Sequence, residues 1–90
     1  MNDLQREYQD LVQADRHLAA GEQRIAEQLA LIQRMVEQGY ETARAKDLLR
    51  LLEETMVAWR DHHQLILDTI ARHERALSRP PLADPGPKAP

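Results

Sequence analysis

The sequence predicts an all-α protein: an antiparallel two-helix hairpin of the coiled-coil type, with pairing of two hairpins into a four-helix bundle as the expected assembly. Apolar residues recur every seven positions through two long segments, which is the spacing of helices that pack along a shared seam. A short connection containing a glycine separates the two segments, and every proline follows the second one. A chain of 90 residues allows one small domain.

The first helix is expected over about residues 3–38. Asn2 can cap its N-terminus, with Asp3 in the first turn. Its seam column has a strict seven-residue spacing: Leu4, Leu11, Leu18, Ile25 and Ile32. Neighbouring columns add Tyr8, Leu29 and Val36 on one side, and Ala14, Gly21 and Met35 on the other.

The turn is expected at residues 39–42. Gly39 suits the left-handed residue that ends a helix, and Tyr40 can fold back on Met35 as the accompanying apolar contact. Thr42 can cap the helix that follows. Because the connection is so short, the two helices must run antiparallel.

The second helix is expected over about residues 43–78. Its seam has two columns, Leu49, Met56, His63, Ile70 and Leu77 in one and Ala45, Leu52, Trp59, Ile66 and His73 in the other. Its outermost column is an acidic ridge of Asp47, Glu54, Asp61 and Asp68. The helix should end near Ser78, because Arg79 precedes Pro80 and is displaced from the helical conformation. The hairpin domain is thus expected over residues 1–79, and residues 80–90 are expected to form a disordered or extended Pro-rich tail.

Gly21 lies in the middle of the first helix, where glycine costs about 1 kcal/mol relative to alanine. A turn at residues 40–41 brings together residues whose numbers sum to about 81, which places Trp59 near Gly21. Since close packing sets large residues against small ones, we interpret Gly21 as making room for the indole. Two alternatives stay open: a tolerated kink, and a close approach of the backbone to a ligand.

Four histidines raise the question of a metal site. The expected register puts His17 at the height of His62 and His63, and imidazole and carboxylate ligands do build metal sites in helical bundles. However, His62 and His63 are adjacent and point about 100° apart, and the His-Glu-x-x-His signature is missing. We therefore expect a polar layer that sets the register of the helices, no metal and no cofactor, with His17, His62 and His63 as the candidate ligands of the alternative.

Composition and motifs also exclude several functions. The sole serine, Ser78, stands at a helix end, the three glycines are too far apart to cradle a phosphate, and cysteine is absent, so no enzyme is expected. A net charge of −3 argues against binding to nucleic acid. No segment reaches the ~18 apolar residues of a membrane span, and because charges recur from Asp3 onward, no signal peptide is expected. The lack of cysteine fits a cytoplasmic protein, and the preference for arginine over lysine suggests a GC-rich bacterial gene.

Apolar residues extend beyond the seam on both helices and indicate a further helical partner, since a lone hairpin needs only a narrow stripe. On the first helix they are Val12, Ala19 and Ala26. On the second helix Thr55 accompanies the residues expected to form the interface, which are Leu48, Leu51, Ala58, His62 and Leu65. The expected partner is a second copy or another helical protein. A membrane surface is disfavoured, because the second helix carries the acidic ridge instead of basic flanks.

Part of the chain resembles a group of short uncharacterised alphaproteobacterial helical-hairpin proteins. The shared features are an Arg-His-apolar-Ala-x-Gly segment at 16–21, Gln28 after the pair Arg24-Ile25, and a Gly-x-Asp-Thr turn before x-x-Ala-x-x-Leu-Leu at 39–49. Glu41 stands where the group has Asp. The resemblance covers about residues 14–56 and implies a hairpin. The group has no established activity, so it assigns no functional residue.

The sequence therefore favours a small structural or interaction protein that acts through helix–helix association. The alternative is a ligand- or metal-responsive regulator that uses the histidine layer. A third hypothesis is nucleic-acid binding through the arginines of the second helix, and the acidic ridge disfavours it.

Overall fold

The computed structural model describes residues 3–78, which form two helices joined by residues 38–42. Helix α1 spans Asp3–Glu37 and helix α2 spans Ala43–Ser78. Residues 3–78 contain no strand, and the predicted helical hairpin is confirmed. The predicted Pro-rich tail at 80–90 and the predicted cap Asn2 lie outside the described residues. Over residues 3–78, neither helix has a stretch long and apolar enough to cross a membrane.

The core is a thin seam between the two helices. All of the buried residues within 3–78 stand at seam positions: Ala14, Gln28, Met56, Ile66 and Ile70. Ala14 clusters with the two isoleucines, and Leu4 and Leu11 pack against this cluster. The predicted seam column of α1 is only half-buried along its length. The hairpin therefore leaves much of its apolar surface open.

A glycine reverses the chain at the end of α1. Gly39 has a φ of 78°, which L-residues with a side chain rarely adopt. The N–H of Tyr40 donates to the carbonyl of Met35 at 2.8 Å, and the N–H of Gly39 donates to the carbonyl of Val36 at 3.1 Å. This pair of bonds is the Schellman motif, which satisfies carbonyls that the helix leaves without a partner.

The side chain that caps helix α2 belongs to Glu41, one residue before the expected cap Thr42. Thr42 occupies the N-cap position, because its carbonyl accepts the first helical bond from the N–H of Lys46 at 2.9 Å. The carboxylate of Glu41 accepts a hydrogen bond from the N–H of Ala43 at 2.8 Å. The first orphan N–H of α2 is thus satisfied by an acidic side chain, which also complements the helix dipole.

The two helices are in a different register from the one expected. With facing numbers that sum to about 81, Met56 would face Ile25, but it lies against Gly21, about one turn away. The sum of 81 counts residues equally on both sides of a turn at 40–41, as if each residue advanced the chain by the helical rise of about 1.5 Å. Residues 40–42 are not helical, and extended chain advances about 3.3 Å per residue. The extra length, about 5 Å, starts α2 farther back along α1.

Candidate interaction surface

The contacts between the helices distinguish two faces of the hairpin. On one, His17, Arg24 and Leu31 of α1 lie beside Leu48 and Thr55 of α2 along two grooves that meet at Arg24. We call this the front face.

On the opposite side, which we call the back face, polar side chains join the helices. The hydroxyl of Tyr8 donates to the carboxylate of Glu74. Nε2 of His63 lies 2.7 Å from Oδ1 of Asp15. These pairs place the column of Tyr8 and Asp15, and that of Glu74, on the back of the molecule.

The front face carries the residues of α2 that were expected to form the interface. We call this set the α2 strip: Leu48, Leu51, Ala58, His62 and Leu65. Leu48 and His62 share a seven-residue column with Thr55, which lines a front groove. Leu51, Ala58 and Leu65 form the adjacent column. The three leucines are 47%, 53% and 64% exposed. Exposed leucines that adjoin one another form an apolar patch, the kind of surface on which proteins associate.

The apolar residues of α1 face the other way. Leu29 and Val36 share the column of Tyr8 and Asp15, which lies on the back face, and both are exposed. Val12, Ala19 and Ala26 form the next column outward. The surplus apolar residues of the two helices thus lie on opposite faces of the hairpin, so a single flat partner covers one set or the other.

Met56 fills the space beside Gly21, which corrects the predicted pairing of Gly21 with Trp59. A Cβ added to Gly21 would overlap the sulfur of Met56 and lie 3.4 and 3.5 Å from its Cε and Cγ. Trp59 lines the same groove, but its ring packs on His17, with the ring centroids 4.4 Å apart. Met56 rather than Trp59 lies beside Gly21 because the register of the two helices is shifted.

The histidines are distributed over three places. His17 and His62 flank Trp59, with His62 meeting the indole edge-on at a centroid distance of 6.0 Å. His63 turns to the back face and pairs with Asp15. His73 lies near Leu4 at the open end.

These positions do not gather the candidate metal ligands. Nδ1 of His17 and Nδ1 of His73 are buried without a hydrogen-bond partner. Within residues 3–78, no three His, Asp or Glu side chains are grouped so that they could hold a metal ion. Of the three candidates, His17 and His62 face one side of the hairpin and His63 the other.

Gln28 is a buried polar residue that the apolar columns of the sequence do not reveal. Its Nε2 donates to the carbonyl of Ala45 at 2.9 Å and so links α1 to the first turn of α2. The available signal was its position, since Gln28 is seven residues from both Gly21 and Met35 in a seam column. A polar group at such a position is tolerated when it is hydrogen-bonded, and it favours one register over others.

The Tyr8–Glu74 pair changes the titration of the phenol. The hydrogen bond to Glu74 raises the pKa of Tyr8 above its ordinary value, and desolvation and the negative charge of Glu74 act in the same direction. The neutral phenol is therefore the form that bridges the two helices on the back face.

No protein-family model, curated protein or solved structure matches the chain. What the structure defines is a class: an antiparallel helical hairpin with an exposed apolar strip on each face. We therefore infer function from the surface of the hairpin itself.

Proposed function

We propose that this chain is a small structural or interaction protein that works by helix–helix association, and that the α2 strip binds a second copy to complete a four-helix bundle. One observation carries the proposal. Within residues 3–78, the seam buries only four apolar side chains, while three leucines of the α2 strip stay about half exposed or more. A chain of this size needs additional burial, and association is one way to obtain it.

The strip supports a helical partner in particular. Full burial of a leucine contributes about 1.5–3 kcal/mol, and the exposed leucines stand in two adjacent columns of one helix. Apolar columns of this kind fit between the columns of another helix, in the same way that α1 and α2 already pack. A second copy is the simplest source of such a helix.

The expected context is part of this proposal. The absence of cysteine and the resemblance to alphaproteobacterial hairpin proteins favour a bacterial cytoplasmic protein. The proposal assigns no enzymatic activity, and neither a membrane nor a nucleic acid is the proposed partner.

Light scattering at tens of micromolar protein tests self-association. We expect the mass of two chains for the natural sequence, and the mass of one chain for the double variant Leu51→Glu/Leu65→Glu. The matched control is Val57→Glu on the back side of the same helix, where the valine is 56% exposed, and it should remain dimeric. The mass of one chain for the natural sequence would contradict the proposal.

A further inference from the structure

Charges beside the α2 strip select one arrangement of the dimer, and this inference rests on the proposed self-association. We propose that α2 of each copy packs on α1 of the other, with both turns at the same end of the bundle. The occupant of the front face is thus helix α1 of a second copy.

The acidic ridge borders the α2 strip. Its members are all exposed: Asp47, Glu54, Asp61 and Asp68. The first three stand four residues before Leu51, Ala58 and Leu65, and Asp68 continues the column seven residues after Asp61. Arg50 pairs with Asp47 at 3.2 Å and with Glu54 at 3.8 Å, but these side chains are 63–65% exposed, so the pairs remain in solvent and neutralise the ridge only locally. If α2 packed on α2 of a partner, two acidic ridges would run side by side.

Helix α1 offers the complementary charge. Four exposed arginines follow its outer and front sides: Arg6, Arg16, Arg24 and Arg34. Two of them, Arg24 and Arg34, line the front groove near the turn. The same side of α1 also carries Asp10 and Glu27, so its charge is mixed, and the arginines recur every eight to ten residues, against every seven for the acidic ridge.

The observed register brings these charges to the same heights. Gly21 lies opposite Met56, so facing residues have numbers that sum to about 77. On this scale the four ridge residues stand at the heights of about residues 30, 23, 16 and 9 of α1. Each is within about one helical turn of an arginine. The closest match is Asp61 with Arg16.

Two symmetric dimers can be compared by the charges that each brings together. A two-fold axis parallel to the helices keeps every residue at its own height and sets α2 over α1 of the partner, with all neighbouring helices antiparallel. A two-fold axis perpendicular to the helices sets α2 over α2 and ridge against ridge. Like charges at short distance disfavour the second arrangement, and the ridge–arginine match favours the first.

A distance measurement between the two turn ends distinguishes the arrangements. The chain contains no cysteine, so Glu37→Cys at the end of α1 gives a single site for a nitroxide label. Pulsed electron paramagnetic resonance on the full chain should give a distance of about 20–35 Å between labels, a few helix widths. The perpendicular axis would separate the labels by more than about 45 Å, close to the length of a helix.

The outcomes also separate this inference from the proposed function. A long distance together with a dimeric mass would overturn the arrangement and leave self-association intact. A monomeric mass without dipolar coupling would overturn both.

Charge reversal gives a second test. Asp61→Arg and Arg16→Asp should each raise the dimer dissociation constant about three- to tenfold at low salt, and the double variant should restore it. The control Arg60→Asp, on the back side of α2, should leave the dissociation constant unchanged. Single variants without effect, or a double variant as weak as the singles, would contradict the proposed contact.

Discussion

Gly21 and Met56 show at the scale of single residues how a missing side chain sets a packing contact. Met56 is 2% exposed, and its sulfur occupies the volume that a Cβ on Gly21 would need. Helix propensity alone would favour almost any replacement of this glycine. Packing opposes it, because the sulfur of the buried Met56 would have to move to admit a side chain at position 21.

We expect Gly21→Leu to lower the free energy of unfolding by about 1–3 kcal/mol, although leucine is the better helix former. Urea denaturation followed by circular dichroism measures the change. In a double-mutant cycle, Met56→Ala should reduce this cost by vacating the space, whereas Trp59→Ala should not. Stronger coupling to Trp59 would instead favour the pairing that we expected from the sequence.

Gln28 is the second residue-scale test, because its amide donates a hydrogen bond that a carboxylate cannot. Gln28→Glu would leave the carbonyl of Ala45 facing a buried acceptor, and we expect a loss of about 1–3 kcal/mol. The matched control is Gln5→Glu, the same change at an exposed position on the back side of the same helix, which should be nearly neutral. Equal unfolding free energies for the two variants would mean that the Gln28 contact contributes nothing.

At the scale of the elements, the hairpin depends on how α1 ends. The space around a Cβ at Gly39 is open to 4 Å, so a substitution there meets only backbone strain. We expect L-alanine at position 39 to cost about 1–2 kcal/mol, and D-alanine, which favours a positive φ, to avoid this cost. Thermal unfolding of chemically synthesised chains measures both. Equal melting temperatures would show that the turn does not require the left-handed residue.

The back-face pair Tyr8–Glu74 links the two helices at the end opposite the turn. It predicts that the phenol of Tyr8 titrates at alkaline pH. Because the folded pKa of Tyr8 is raised, its contribution to stability is present below the ordinary value of 10.0 and is lost as the pH rises through the folded pKa. Absorbance at 295 nm should show a tyrosine that ionises above the ordinary value of 10.0. Tyr8→Phe should remove that component and Glu74→Gln should lower its pKa, whereas Tyr40→Phe should leave it in place.

At the scale of the whole molecule, the proposed dimer couples folding to association. The melting temperature should therefore rise with protein concentration, since mass action favours the bound form. Circular dichroism over a hundredfold range of concentration checks this, and Leu51→Glu/Leu65→Glu should abolish the dependence. A melting temperature that is constant for the natural sequence would indicate a hairpin that folds alone.

The amino-acid sequence by itself determined the helices, the turn and the seam. The seven-residue columns and Gly39 act locally, through helical periodicity and a single backbone conformation, so their consequences can be worked out without the partner element. The tertiary structure decided what depends on both helices at once. The non-helical residues before α2 shift the register, which puts Met56 rather than Trp59 against Gly21 and brings Gln28 to Ala45. The rotation of each helix about its own axis places the two apolar strips on opposite faces of the hairpin. Sequence periodicity identifies the columns of each helix, but it does not say which column of the other helix lies beside each of them.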